Sequence, residues 1–259
     1  MARDTAARIS RLSELSWPKL ILGAIMTVAI FVVLVQFYFF CKVVWYSQVA
    51  PRSTPVMRAA MADLRRADAQ AELRYDWVDY ADISTSLKRA VVASEDANFM
   101  NHTGVEWDAV RAAWEHNQQL REQRAAAAEA GERAPRGTMR GGSTISQQLA
   151  KNLFLSNSRS YLRKGQELVI TWMIEHVMSK QRILELYLNV AEWGNGVFGA
   201  QAAARHHFRT DAGSLGARQA AQLAAMLPNP RFYDERGVTR YLNSRTSTIV
   251  ARMRQANIP

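Results

Sequence analysis

The sequence predicts a mainly α-helical fold preceded by one N-terminal transmembrane helix, and three observations carry that reading. An uncharged run of twenty-two residues lies between Lys19 and Lys42, the length a helix needs to cross a bilayer. From Leu87 nearly to the C-terminus, apolar residues recur at helical spacing, and only Tyr75, Trp77 and Tyr80 suggest a short extended stretch. The 259 residues are 48% hydrophobic and 22% charged, which fits one well-cored domain with an accessory segment rather than a disordered chain or a multi-span membrane protein. The single cysteine, Cys41, excludes an intramolecular disulfide framework and Cys-cluster metal sites. A net charge of +10 points to an anionic partner: nucleic acid, an acidic membrane surface or a phosphorylated substrate.

Taking the elements in order, residues 1–19 form a basic N-terminus with Arg3, Arg8, Arg11 and Lys19, and residues 20–41 form the span. A soluble helix of this length would carry a polar face, and a cleavable signal has a shorter apolar core. The cationic excess before the span predicts a cytoplasmic N-terminus, with Trp17, Trp45 and Tyr46 at the interfaces. The remainder then lies outside the cytoplasm, on the periplasmic or extracytoplasmic face, which argues against nucleic acid and favours an anionic lipid or lipid-linked phosphate. Residues 42–73 read as a membrane-proximal stalk and 74–259 as the working domain.

Within that domain one helical face is marked by Leu87, Ala90, Val91 and Ser94. Another is marked by Trp107, Val110 and Trp114, preceded by Thr103 to Glu106 at capping-box spacing. Further stripes are Ile145, Leu149 and Leu153; Leu168, Trp172 and Glu175; Ile183, Tyr187 and Val190; and Leu223 with Leu227. Residues 118–140, rich in Ala, Glu and Arg and ending in Pro and Gly, read as a mobile insert.

Some patterns are set aside. Gly194, Gly196 and Gly199 satisfy G-x-G-x-x-G, but a helix-like segment precedes them and no acid follows at the required distance. The histidines form no H-E-x-x-H, and the adjacent His206 and His207 cannot share one helix face as metal ligands do. Ser16 and Lys19 have S-x-x-K spacing without a K-T-G, so no penicillin-binding transpeptidase unit is expected.

Three constellations carry chemistry. Glu95, with Asp96, sits where a helix ends beside Phe99, and the negative end of a helix plus an apolar neighbour raises a carboxylate toward the range of a general base. The run GGSTISQQLAK, residues 141–151, opens a helix with glycines, whose free N–H groups suit an anion, and sets Gln147 and Lys151 on a polar face opposite Ile145, Leu149 and Leu153. Arg159, Arg163 and Lys164 precede Glu167, a set that grips phosphate while keeping an acid.

Read together, Glu95-Asp96 with Phe99, His102 and Gly104; GGSTISQQLAKN; Arg163-Lys164 with Glu167; Lys180 with Ile183-Leu184-Glu185 and Tyr187-Leu188-Asn189; and Gly196, Gly199, Ala203 and Ala204 resemble, in order, the five motifs of the peptidoglycan glycosyltransferases, here of the monofunctional kind. The resemblance implies a lysozyme-like helical domain on the outer face of the cytoplasmic (inner) membrane that polymerises lipid II. It implies Glu95 as the catalytic base and Glu167 as the second catalytic-site glutamate, on the donor's diphosphate side. Substrate binding falls to Asp96, Phe99, His102, Gly142, Ser143, Thr144, Gln147, Gln148, Lys151, Arg159, Arg163 and Lys164. It further implies as partners lipid II, the growing glycan strand, membrane lipid, and cell-wall synthesis or division proteins. No cofactor is required, although a divalent metal (Mg or Mn) can share the diphosphate. The chain departs from the pattern at Gln166, where some members have lysine, and at His207, where tyrosine is usual. A glycan-cleaving enzyme is the main alternative, and the cations around Glu167 argue against it; a membrane-anchored binding module is the other.

Overall fold

The computed structural model describes residues 17–134, 137, 141–155 and 160–259. The chain divides into two compact units, Met1–Lys42 and Val43–Pro259. In the first, helix α1 (Trp17–Gln48) begins, and it runs on past both ends of the expected span. Its mean hydropathy over the most apolar window is 2.7, with none of that window buried. At 1.5 Å per residue its 32 residues reach about 48 Å, more than the ~30 Å hydrocarbon core. Arg3, Arg8 and Arg11 lie outside the described residues.

The second unit is mainly helical, consistent with the lysozyme-like class. Segment 43–73 belongs to it: α2 (Pro55–Ala67) starts on Thr54, whose hydroxyl accepts from the Met57 N–H at 3.1 Å, and it buries Val56, Met57 and Ala60. Sequence patterning reads as a stalk here because the opposite face is Arg-rich. Strands β1 (Arg74–Tyr75), β2 (Glu192–Gly194) and β3 (Val197–Phe198) form a small sheet in the order β1-β3-β2. Thus a three-residue strand, not a helix alone, precedes the second glycine of the G-x-G-x-x-G pattern, in a sheet far too small for a dinucleotide fold. Gly196 and Gly199 have φ of +72° and +84°, and a Cβ on Gly199 would stand 2.8 Å from the Asn189 carbonyl.

Helices α3 (Thr85–Glu95), α4 (Trp107–Glu129), α5 (Ile145–Phe154), α6 (Tyr161–Val177) and α7 (Lys180–Val190) build the site, followed by α8 (Ala200–Phe208), α9 (Ala217–Met226), α10 (Pro230–Arg236) and α11 (Arg240–Arg252). Ser84, Thr144, Ser160, Ser179 and Thr239 cap their helices with side-chain acceptors, each worth ~1 kcal/mol. The alanine-rich α9 packs between α3 and α11, and α5 packs on α6 and α7. Ile145, Leu149, Leu153, Ile183 and Tyr187 are buried as their stripes require.

One pattern differs from expectation, and two of the stripes lie turned outward. Glu106, not Thr103, is the N-cap of α4 and makes no side-chain cap bond; its carboxylate takes the Asn98 amide instead. Gly104, at φ +101°, turns the chain too sharply there for a capping box. Trp107 and Trp114 are 66% and 65% exposed, so their stripe faces outward. On α6 the buried face carries Glu167, Ile170, Thr171 and Ile174, leaving Trp172 outside. The first half of the 118–140 insert continues α4 to Glu129, and Arg124 donates to the Gly137 carbonyl at 2.8 Å.

Candidate active site

A cleft of about 1080 Å³ opens between the end of α3, the start of α5 and the C-terminal helices, lined by Glu95, Ser143, Gln148, Phe232, Tyr241, Arg245 and Arg252 among others. Glu95 is the last residue of α3 and Asp96 its C-cap. Consecutive residues on a helix point about 100° apart, so one carboxylate enters the cleft and the other the interior.

Asp96 is 4% exposed. Its Oδ2 accepts the Ile145 N–H at 2.9 Å, closing the N-terminus of α5, and both its oxygens meet His102 Nε2, at 2.9 and 3.0 Å. The Gly104 N–H donates to His102 Nδ1 at 3.1 Å, so the ring's proton is on Nε2 and is donated to Asp96. Thr144 and Gln147 complete a reciprocal cap, with Gln147 Oε1 accepting the Thr144 N–H at 3.0 Å, and Thr144 Oγ1 donates to the Gly104 carbonyl at 2.5 Å. Phe99 is fully buried, with Lys180 Nζ 4.6 Å from its ring centre. Asp96, Phe99, His102, Thr144 and Gln147 have polar atoms or faces engaged within the protein and hold α3, the 99–104 turn and α5 together. Gly142 lets that turn approach α4: a Cβ there would stand 3.0 Å from Val110 Cα.

Glu95 has a different environment. Burial raises its pKa above the ordinary value, opposed by a 3.0 Å hydrogen bond from Gln148 Nε2 and by the Arg245 guanidinium. Ser94 Oγ contributes a weak 3.4 Å donor. The helix C-terminus adds a further push toward the neutral form. A carboxylate desolvated this way is a better proton acceptor than a solvated one.

Glu167, 3% exposed on α6, is clamped by cations. Arg163 donates to Oε2 at 2.8 Å, and Lys164 meets Oε1 and reaches Ser143 Oγ at 3.4 Å. Arg163 Nε is buried and finds no acceptor among the described residues. Lys151 lies between the two acids: burial lowers its pKa, while both Glu167 and Glu95 raise it and Arg163 and Lys164 lower it. Arg159 lies outside the described residues. Both Glu167 oxygens are thus engaged by cations.

Two groups went unread in the sequence. Arg245 reaches the Ser94 carbonyl and hydroxyl at 3.5 and 3.4 Å from 151 positions away. The signal was there: Arg240, Arg245, Arg252 and Arg254 occur in a run without an acid. Phe232 and Tyr241 line the same wall. At the variant position His207, Nε2 donates to the Trp193 carbonyl at 2.8 Å and burial lowers the ring's pKa, so the helix stays anchored. His206 and Asp234 pair at 2.6 Å beside it.

A helical domain with a desolvated glutamate in a cleft and a second, buried glutamate clamped by cations fits the class of glycosyl-transferring enzymes. The transglycosylase family model matches residues 62–254, and the chain belongs to that family. It is 60% identical over its full length to the biosynthetic peptidoglycan transglycosylase of Bordetella pertussis, with both chains wholly covered. It is 56% identical to that of Bordetella avium over 94% of this chain and 97% of the other. With that of Methylobacillus flagellatus it shares 48% identity over 96% of this chain and all of the other.

Proposed function

We propose that this enzyme polymerises lipid II into β-1,4-linked glycan strands on the outer face of the inner membrane, with inversion and release of undecaprenyl diphosphate, and without transpeptidase activity. The observation that carries the reading is the asymmetry of the two glutamates. Glu95, desolvated and facing the cleft, takes the proton from the acceptor GlcNAc 4-hydroxyl as its oxygen attacks the donor's anomeric carbon. The α-linked diphosphate leaves toward Lys151, Arg163 and Lys164, whose charge stabilises the developing anion. The spare Arg163 Nε supports an anion at that end, and a bond between two sugars needs no such set. Glu167 holds the cations in place. The relatives' names support peptidoglycan as the product.

Helix α1 supports a single-pass anchor with a cytoplasmic N-terminus. Exposed Trp107, Trp114, Tyr161, Leu162 and Trp172 support contact with lipid, because such side chains favour the membrane interface. The growing strand, and cell-wall synthesis or division proteins, are the further partners. The reading requires no cofactor; Mg or Mn is an optional companion of the diphosphate, readable by chelator titration.

The test is incubation of the purified chain and Glu95→Gln with fluorescent lipid II in detergent, followed by muramidase digestion. Muramidase-sensitive polymer from the parent and none from the variant is expected. Fragments released from sacculi, with no polymer formed, would replace synthesis by cleavage.

A further inference from the structure

Behind Gln148 stands a second buried group that the reaction as written does not use. Tyr187 on α7 is 1% exposed, and its hydroxyl donates to Gln148 Oε1 at 2.9 Å. The other end of the same amide donates from Nε2 to Glu95 Oε2 at 3.0 Å. A carboxamide turned by half a revolution exchanges its oxygen and nitrogen with little change in shape. Turned that way, Gln148 would present a lone pair to Glu95, repelling the carboxylate and accepting from the protonated acid. The Tyr187 oxygen would then accept from the amide nitrogen, and its own hydrogen would lose the acceptor it has among the described residues, a costly state in a buried site.

We propose that Tyr187 is a positioning residue for the base: its hydroxyl hydrogen fixes the Gln148 amide so that the nitrogen, not the oxygen, faces Glu95. The inference rests on the reading of Glu95 as the base and adds the device that keeps it ready. Burial raises the Tyr187 pKa well above its ordinary value, so the hydroxyl remains a donor at any pH at which the enzyme works. The other charged groups facing Glu95 are Asp96 from its own helix end, Lys151 from α5 and Arg245 from α11. Without the tyrosine hydroxyl both amide orientations become accessible, and the protonated acid gains a partner it lacks in the parent.

The experiment uses the full-length chain, with lipid II in detergent as substrate, and compares pH profiles of parent, Tyr187→Phe, Gln148→Met and the double variant. In Tyr187→Phe the acidic limb of kcat moves up by about one pH unit, a tenfold change in the ionised fraction at a given low pH. KM stays put, and turnover recovers toward the parent's at the alkaline side. Gln148→Met moves the limb as well, and adding Tyr187→Phe to it moves the limb no further, because both changes remove one device. An unmoved limb in Tyr187→Phe, a loss uniform across pH, or additive shifts in the double variant each overturn the proposal. Glu95→Gln separates the two levels: if it keeps turnover and the parent limb, the base assignment itself falls, whereas a dead Glu95→Gln with an unmoved Tyr187→Phe limb removes only the positioning role.

Discussion

Glu95 and Glu167 are the same residue type, on different helices of one domain, in opposite electrostatic settings. Among the described residues, Glu95 receives amide and hydroxyl donors directly, with a guanidinium at longer range. Each oxygen of Glu167 has a cation of its own. The difference teaches that the environment assigns the task. A carboxylate without a cation at hand is free to accept a proton, and one neutralised twice over serves to arrange charge for something else.

The sharpest way to break that comparison is Glu95→Gln. It should lower turnover by roughly 10²–10⁴-fold, the contribution of base catalysis, with the melting temperature retained; comparable turnover would erase the distinction between the two ends. Glu167→Gln should cost about 10²-fold by disordering the cations that meet the leaving group. Addition of imidazole or other external bases should restore none of it, since the lost function is not proton transfer.

The pH profile of kcat/KM sharpens the comparison further. Glu95 must be ionised to act and burial raises its pKa, so activity falls as pH decreases through a value above the ordinary 4.5. Lys151 must be charged and burial lowers its pKa, so activity falls as pH rises through a value below 10.5. Lys151→Arg should remove the alkaline limb while leaving the acidic one, because a guanidinium stays protonated. If Lys151→Arg moves the acidic limb instead, the two ends are not separate. The smallest effect belongs to Ser143→Ala, which deletes only the 3.4 Å contact with Lys164 and should change kcat/KM by about threefold or less.

The stripe Ile145, Leu149, Leu153 was legible because α5 is amphipathic and short, and Arg163 and Lys164 were legible because they lie about one turn before Glu167. Trp107, Val110 and Trp114 do lie on one helix, but helical spacing reports a face, not whether that face meets the core or solvent. What the sequence could not reveal were roles set by long closures. Asp96 reaches the Ile145 N–H across 49 positions, and Arg245 reaches Ser94 across 151; no spacing rule spans such intervals. Five residues of the motif, Asp96, Phe99, His102, Thr144 and Gln147, bind the folded chain to itself, a framework role that spacing alone does not display.

Helix α5 meets both acids. Its first N–H is tied to the residue beside Glu95, its fourth residue, Gln148, bonds Glu95, and Lys151 one turn on feels Glu95 and Glu167 alike. In evolutionary terms this ten-residue segment is pleiotropic. A substitution there that loosens an inhibitor's grip on one end of the cleft also disturbs proton removal at one end or charge relief at the other, so routes to resistance through this helix are narrow.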